Sequence, residues 1–354
     1  MRKRLRLSQN PSDQHHFNPD DIVSRMPDEI LVYILSRLPL VDAAVTSQLS
    51  RRWRYMWCQT LKLDREDDYK MYVIKCLRVL ILKCVNVNDE AIGKILRNCP
   101  VLEHLRICNS GQLVNVNVSG PALALTKLEI QSCFQLQSVE IYDSNLVWFE
   151  YLGIAIDIKL HNNPRLKTIS IGEGYNGIQK NTFQQISCVK YLEVLEFHIF
   201  HPKKDTDLIS FPELPTVKKL SMIVGANNDD SLLALTWWVK LCPNLQKCTI
   251  QLKWTWKRVR IERQIQKWVK HTHHHLEVVE IIGFHGGIGD LELALYFYES
   301  CIALKKIVID PTYQLLEKRG PVGSITDELQ ENKARFAAHL LLHNRIAGDK
   351  LVIV

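Results

Sequence analysis

The chain of 354 residues has a formal net charge of +7, with 46% hydrophobic and 23% charged residues. This composition is typical of a folded globular protein with one large or two ordinary domains, and it excludes extensive disorder. No apolar run approaches the length of a membrane span, and no apolar segment follows the basic start, so we expect an intracellular protein without a membrane or secretory segment.

The N-terminal tail, residues 1–19, is polar and basic and is predicted to be disordered. Its cluster from Arg2 to Arg6 fits either a solvated tail or a nuclear-import patch, so we expect the protein in the nucleus, the cytoplasm or both. The ten cysteines form no C-x-x-C pair, which favours reduced thiols over a disulfide framework. The mild charge excess predicts no nucleic-acid partner for the chain as a whole.

Residues 20–60 predict a compact module of three short helices. Pro27 fits the first turn of helix one and Pro39 ends it, while Asp42 and Ser50 can cap helices two and three. So small a module carries more apolar surface than its own core needs, so part of that surface should face a partner. The apolar residues of helix one recur at three- and four-residue intervals: Ile30, Leu31, Ile34, Leu35 and Leu38.

This module resembles the F-box of plant F-box proteins. The likeness lies in Met26-Pro27, Ile30, Ile34-Leu35, Leu38-Pro39, Ala44, Ser50-Arg51-Arg52-Trp53-Arg54 and Trp57, although Met26 and Met56 stand where leucine is commoner. The resemblance implies binding to the Skp-type adaptor of a cullin-based ubiquitin ligase; the alternative is a helical cap without a partner. The residues expected to contact the adaptor are Met26, Pro27, Ile30, Leu31, Ile34, Leu35, Leu38, Pro39, Val45, Leu49, Trp53 and Trp57.

After a short predicted strand at residues 61–64, an apolar-x-x-apolar-x-apolar unit recurs ten times at intervals of 20 to 31 residues. Such a period is typical of a solenoid in which each unit supplies one strand, with the apolar residues inward and the intervening ones on an open face. The pattern resembles a degenerate leucine-rich repeat. The units start at Leu77, Leu102, Leu125, Leu146, Leu166, Leu192, Val217, Leu245, Leu276 and Leu304.

Between these strands the chain must cross back. Residues 88–96 and 230–235 predict helices that lead to Cys-Pro-x-Leu phrases, whereas residues 109–121 and 172–181 are rich in glycine and asparagine and predict loops. We therefore expect an α/β protein: a three-helix F-box followed by an irregular leucine-rich-repeat solenoid, residues 61–270, with a parallel sheet on its concave face.

Residues 271–354 predict strand, helix and strand, then a loop at 320–325, a closing helix at 334–344 and a final strand at 351–354. This order resembles the FBD region found at the end of many plant F-box proteins.

Within and before it, three segments allow another interpretation. The glycine loop from Gly283 to Gly289 fits a plain strand-to-helix turn or a phosphate loop, and His271 to His275 fit a solvated helix end or a zinc site. The segment from Lys253 to Arg260, with the basic helix predicted after it, fits a solenoid crossover or a nucleic-acid surface.

No nucleophile or acid–base motif appears, so we expect no catalytic residue, metal or cofactor. Two functions stay open: a substrate receptor of a Skp–cullin–F-box ligase, or a repeat scaffold that acts outside any ligase.

Trp148 is the strongest candidate for an anchor of the protein target, unless a register slip of one residue buries it. The sequence does not identify the protein target, which is expected to bind outward side chains of the repeats: His104, Arg106, Lys127, Glu129, Trp148, Glu150, Lys219 and Lys247, with Val194 and Glu196 between them.

Overall fold

The computed structural model describes residues 26–35, 60–64, 77–121, 123–173, 180–199, 211–226, 231–254, 264–312 and 325–354. The chain divides into two compact units, Met1–Thr60 and Leu61–Val354. In the first unit, helix α1 (Asp28–Leu35) follows Pro27 and confirms the first predicted helix. The predicted end of helix one, with Leu38 and Pro39, lies outside the described residues. So do the other two predicted helices, with Val45, Leu49, Trp53 and Trp57, and the tail. The predicted domain boundaries stay predictions.

Fifteen strands are present among the described residues. Twelve form one sheet, in the order β1-β2-β3-β5-β7-β9-β10-β11-β12-β13-β14-β15, and β4-β6-β8 form a second one. In chain order the strands are β1 (Thr60–Asp64), β2 (Val79–Lys83), β3 (His104–Cys108), β4 (Asn115–Ser119), β5 (Lys127–Gln131), β6 (Ser138–Tyr142), β7 (Trp148–Gly153), β8 (Asp157–His161), β9 (Thr168–Glu173), β10 (Val194–Ile199), β11 (Lys219–Ala226), β12 (Lys247–Trp254), β13 (Val278–Ile282), β14 (Lys306–Asp310) and β15 (Leu351–Ile353).

The ten predicted repeat units are the strands β2, β3, β5, β7 and β9 to β14, and neighbouring strands among them pair in parallel. The three apolar residues of every unit are buried. The register aligns equivalent positions, so that Leu105 faces Leu80 on one side and Leu128 on the other. One stacked apolar row therefore runs along the sheet, and alternation puts the intervening residues on its opposite face.

The second sheet was missed by the sequence prediction. Residues 109–121, expected to be a loop, contain β4, and β6 and β8 lie in the next two crossovers. The same spacing signal is present there, since Leu113, Val116 and Val118 repeat the apolar unit and all three are buried. The prediction was wrong because polar asparagines and glycines around these strands outweighed a pattern only six residues long.

Six α-helices lie among the described residues: α1, α2 (Asp89–Asn98), α3 (Lys180–Ser187), α4 (Thr236–Lys240), α5 (Ile288–Ser300) and α6 (Ile325–Leu342). The side chain of Asn88 caps α2, accepting a hydrogen bond from the Ala91 N–H at 2.9 Å. The helix predicted at 230–235 is instead a 3₁₀ turn (Leu233–Leu235) that continues into α4. The closing helix begins earlier than expected, at Ile325. None of these helices is long and apolar enough to cross a membrane.

Two further helix expectations were wrong. Residues 264–270, predicted to extend a basic helix, contain no helix, and neither do residues 271–275. Ile265 and Val269 are exposed, whereas Trp268 packs partly against the core. The spacing predicted an apolar helical stripe, but of these three residues only Trp268 packs against the core.

Five strands in the N-terminal part of the repeat region, β2, β3, β5, β6 and β8, end in the same kind of turn. The residue after each of five strands has a positive φ, between 47° and 55°, although none of the five is glycine. Its N–H donates to a carbonyl at the end of the next strand in four cases, for example from Cys84 to Cys108 at 2.8 Å. The left-handed conformation is uncommon outside glycine but is tolerated best by Asn and Asp, which occupy three of the positions. The five residues are Cys84, Asn109, Ser132, Asp143 and Asn162.

Candidate partner-binding surfaces

Helix α1 divides the predicted adaptor-binding stripe between two sides. Ile30 and Ile34 are 48% and 39% exposed, and Pro27 before them is also exposed. Leu31 and Leu35 are 0% and 3% exposed. The expectation that the whole stripe is available to a partner therefore needs correction: the two leucines belong to the interior, and the surface side consists of Pro27, Ile30 and Ile34, with Met26 half-buried.

The predicted target-binding residues all lie on the outward side of the large sheet. His104, Lys127 and Trp148 are direct neighbours in one row across β3, β5 and β7, and Arg106, Glu129 and Glu150 form the next row. Lys219 and Lys247 pair with each other further along the first row, beyond β9 and β10. The structure thus brings six of the eight residues into one patch, and we call these six the open-face patch. Val194 and Glu196 lie in the same two rows.

Glu129 is the centre of the open-face patch. It was expected to be exposed, but it is buried. Its carboxylate lies 2.5 Å from Lys127 Nζ, 3.3 Å from His104 Nε2 and 3.4 Å from Arg106 Nε. Burial alone would raise the pKa of Glu129, but the adjacent His104 and Lys127 side chains lower it to about 2. Glu129 is therefore ionised at neutral pH and holds three basic side chains in place.

Trp148 lies outward, so the register slip that would bury it does not occur; its neighbour Phe149 faces inward instead and is fully buried. Lys127 Nζ lies 4.9 Å from the centre of the indole ring, within the range of a cation–π contact. Arg106 Nη2 donates to Gln131 Oε1 at 2.9 Å, and Gln131 in turn donates to Glu150. The open-face patch is thus a connected polar network built around one half-buried aromatic ring.

Outward residues beyond the predicted set also make polar contacts. Lys247 binds Glu280 at 2.7 Å, and Thr249 also donates to that carboxylate. His198 lies 2.9 Å from Glu196, and this contact, against the opposing effect of burial, lowers the pKa of Glu196. Gln131, His198 and Glu280 all follow the strand alternation already recognised, so extending it by one position and into the C-terminal region identifies them.

The glycine loop is a strand-to-helix turn between β13 and α5. The carboxylate of Asp290 occupies the position in which a bound anion would lie. Asp290 accepts hydrogen bonds from the His285 and Gly286 N–H groups at 2.5 and 3.0 Å. Burial of Asp290 raises its pKa from 3.8 to about 6, against the lowering effect of these bonds. Because the loop amides are already used, the loop offers no phosphate cradle. Gly283 has φ +81°, and a Cβ there would lie 2.3 Å from the Leu252 carbonyl oxygen.

The histidine tract gathers no metal site. His273 is buried and lies 3.0 Å from the Tyr296 hydroxyl, whereas His271, His274 and His275 are exposed. Burial, with His271 and Lys240 nearby, lowers the pKa of His273 to about 4, so its ring is neutral at pH 7. No group of three or more ligating residues suited to a metal ion occurs in the described part of the chain.

The basic, aromatic segment from Lys253 to Arg260 is described only at its first two residues. Trp254 is 3% exposed, and its indole N–H donates to the Gly283 carbonyl at 2.6 Å. This tryptophan is therefore part of the core and cannot stack on a nucleic-acid base. Residues 255–263 lie outside the described part.

Comparison with known proteins agrees with these features. Residues 59–337 match the model of the At1g61320/AtMIF1 leucine-rich-repeat domain, and residues 23–63 match the F-box domain. The FBD-associated F-box protein At5g56370 of Arabidopsis thaliana is 38% identical over 84 residues, which is 22% of this chain and 20% of that protein. The putative FBD-associated F-box protein At3g50710 of the same plant is 25% identical over 223 residues, 57% of this chain and 49% of that protein.

The F-box/LRR-repeat protein At3g03360 of Arabidopsis thaliana is 52% identical over 48 residues, 14% of this chain and 10% of that protein. The matches thus span at most about half the length of these relatives. The expected kinship with plant F-box, leucine-rich-repeat and FBD proteins is confirmed. Since the repeat-domain model covers well over half of its residues, the chain belongs to the family of the At1g61320/AtMIF1 leucine-rich-repeat domain and combines that domain with an F-box.

Proposed function

We propose that this protein is the substrate-recognition subunit of a Skp–cullin–F-box ubiquitin ligase. The carrying observation is the union, in one chain, of an F-box match at residues 23–63 with a leucine-rich-repeat sheet whose outward side bears a connected polar patch. An F-box implies a Skp-type adaptor, and a leucine-rich repeat implies a protein target. The rival function, a repeat scaffold outside any ligase, requires only the second half of this union.

In this role the chain needs no catalytic residue of its own. Ubiquitin moves from a conjugating enzyme, and the receptor raises the effective concentration of target lysines near that donor. Two separate surfaces serve this purpose: the exposed side of α1 for the adaptor, and the open-face patch for the target. We place the protein in the nucleus, the cytoplasm or both.

Adaptor binding is tested with the exposed side of α1. The double substitution Ile30→Ala with Ile34→Ala removes two partly exposed apolar side chains, and burial of each against a partner is worth about 1 kcal/mol or more, so binding should weaken at least about tenfold. Affinity for a purified Skp-type adaptor is measured by calorimetry. The matched control is Ile154→Ala with Ile302→Ala, which removes two isoleucines that are 43% and 68% exposed on the other unit.

The control variant should bind like the wild type. Wild-type protein that fails to bind the adaptor, or a double variant that binds unchanged, contradicts the ligase role and leaves the scaffold. Leu31→Ala is a poor test of the interface, because it should cost about 2–5 kcal/mol through loss of buried packing and reduce helicity.

Target binding is tested with the open-face patch. Arg106→Ala combined with Trp148→Ala should abolish capture of ubiquitinated targets in cells whose proteasome is blocked, while adaptor binding persists. The control is Lys159→Ala, which removes an exposed lysine paired with Glu140 on the second sheet. If the Arg106–Trp148 variant captures targets as well as the wild type does, the target binds outside the open-face patch.

A further inference from the structure

An open cavity of about 430 Å³ lies where the strands β10, β11 and β12 begin. Its walls are formed by the segments that lead into these strands and by His275, which precedes β13. A cavity of this volume is large enough for several side chains of a bound ligand. The polar part of its lining includes Lys190, Tyr191, Lys218, Asn244, Gln246 and His275. The cavity is thus a polar site separate from the open-face patch.

Lys218 breaks a pattern of ion pairs at the start of the strands. At three places the residue directly before one strand forms an ion pair with the residue directly before the neighbouring strand. These pairs are Arg78 with Glu103, Lys167 with Glu193 at 3.6 Å, and Lys305 with Glu277 at 2.8 Å. Lys218 occupies the same position before β11, between Glu193 and Gln246. Glu193 is already paired and Gln246 is uncharged, so Lys218 has no carboxylate partner among the described residues.

Two more lysines beside the cavity are also uncompensated. Lys190 lines the cavity, and Lys219 follows Lys218 at the first outward position of β11. Both are exposed, and neither forms an ion pair with another described residue. The lysine next to Lys219 in the same row, Lys247, is paired with Glu280 at 2.7 Å. Three positive charges without a partner therefore border one cavity, and an anionic ligand is the one that they favour.

The backbone around the cavity does not suit a compact anion such as phosphate. The N–H groups of Lys218 and Lys219 donate to the Glu193 carbonyl at 2.9 and 3.1 Å, and those of Gln246 and Lys247 donate to the Lys218 carbonyl at 2.9 and 3.1 Å. No arginine lines the cavity. Phosphate is ordinarily held by free amides or by the fork of an arginine, whereas separate lysine ammonium groups act as independent point charges. The arrangement therefore favours several carboxylates spread along a chain.

We propose that this cavity binds an acidic segment of the protein target, whose aspartate or glutamate side chains contact Lys190, Lys218 and Lys219. The inference rests on the proposed function, since the occupant is the protein that a substrate receptor recruits. Lys219 lies in the same outward row as Trp148, three strands along the sheet. That separation is about 14 Å, which about four extended residues span. One target segment can therefore reach from the open-face patch to the cavity.

The test measures binding of a fluorescein-labelled oligoglutamate peptide to the full chain by fluorescence anisotropy. The wild type should bind the peptide and lose affinity as the salt concentration rises. The cavity variant, Lys190→Gln with Lys218→Gln and Lys219→Gln, should bind at least about tenfold more weakly, since three exposed charge pairs are lost. The control variant should bind like the wild type. It removes three exposed lysines elsewhere for the same change in net charge: Lys83→Gln, Lys180→Gln and Lys333→Gln.

Three results would overturn the proposal. The first is a wild type that binds no oligoglutamate at millimolar peptide, and the second is a control variant that loses as much affinity as the cavity variant. The third is an oligoglutamine peptide with a single phosphoserine that binds the cavity more tightly than oligoglutamate, because the site would then select a compact anion. All substituted side chains are exposed, so an unchanged melting temperature shows that each variant is folded.

Capture of targets separates this proposal from the ligase role on which it rests. In cells whose proteasome is blocked, the cavity variant should capture less ubiquitinated target than the control variant, while both bind the adaptor with wild-type affinity. Equal capture by the two variants would overturn the cavity as a target site and leave the ligase role standing. The peptide measurement contains no adaptor, so a failure of adaptor binding contradicts the ligase role without changing the peptide result.

Discussion

Two regions of the large sheet share the same strand pattern, but the crossovers that connect their strands differ. Between Leu102 and Leu166 the repeat units are 23, 21 and 20 residues apart, and the crossovers contain the strands β4, β6 and β8. Between Val217 and Leu304 they are 28, 31 and 28 residues apart, and α4 and α5 lie in the first and last crossover. We call these the short-crossover and long-crossover regions.

The difference follows from chain geometry. A strand advances about 3.3 Å per residue and a helix about 1.5 Å, so an extended segment covers the same return path with about half the residues. Strand crossovers pair with each other through their backbones. Among the described residues of the long-crossover region, the crossovers pair through one isolated backbone bridge, between His273 and Cys301. A buried carboxylate adds side-chain bonds: Glu292 accepts from the Gln266 N–H at 2.6 Å and from the Ser231 hydroxyl at 3.0 Å. The short crossovers are therefore joined by continuous backbone pairing, and the long ones by one bridge together with side-chain bonds.

The largest expected effect tests whether both regions share one cooperative core. Phe149→Ala removes a fully buried ring in the short-crossover region and should lower the free energy of unfolding by about 3–5 kcal/mol. Urea unfolding followed by circular dichroism should show one transition that moves as a whole. Two separated transitions would mean that the regions unfold independently. Phe134→Ala, at 67% exposure, is the control and should change little.

Gly283→Ala tests how tightly the long-crossover region is seated. The residue has φ +81° and a Cβ would meet the Leu252 carbonyl, so we expect a loss of about 1–3 kcal/mol. Gly348→Ala is the matched control, because nothing lies within 4 Å of the added atom. Equal thermal stability of the two variants would contradict the close approach of this turn to β12.

Asn163→Ala tests the side-chain contribution in the short-crossover region. The buried Asn163 accepts from the Ser144 hydroxyl at 2.7 Å and donates to the Ile141 carbonyl at 3.1 Å, so its loss should cost about 1–2 kcal/mol. Asn244→Ala removes a single bond at the surface and should cost less. If the two substitutions cost the same in chemical unfolding, backbone pairing alone fixes these crossovers.

The last prediction is a pH dependence from the long-crossover region, which is measured as a slope. Because the pKa of Asp290 is raised from 3.8 to about 6 in the folded protein, the folded state binds the proton more tightly, so stability is gained below pH 3.8 and lost as the pH rises through 6. The slope is at most about 1.4 kcal/mol per pH unit. Asp290→Asn should flatten unfolding free energies measured between pH 4 and pH 6; an unchanged slope would assign the dependence to other groups.

The sequence predicted the ten strands because the apolar unit reports directly which side of a strand is buried. It predicted the open-face patch for the same reason, since outward positions alternate with inward ones. It did not predict that Glu129 is buried, because this depends on three basic side chains that surround it, Lys127 on its own strand and His104 and Arg106 on the neighbouring strand β3. Nor did it predict the contact between Asp290 and the loop amides, because a carboxylate in the first turn of a helix is ordinarily a solvated residue.

The constant register gives the outward side of the sheet a fixed grid. Outward side chains stand about 4.8 Å apart from strand to strand and roughly 6.6 Å apart along a strand, whatever the length of the crossovers behind them. A substitution at one grid position changes the chemistry there without moving the backbone positions of the others. The effects of substituting Lys127 and Lys247, which lie five strand positions apart, should therefore add in any binding measurement. Recognition on such a surface can change one residue at a time while the fold behind it stays the same.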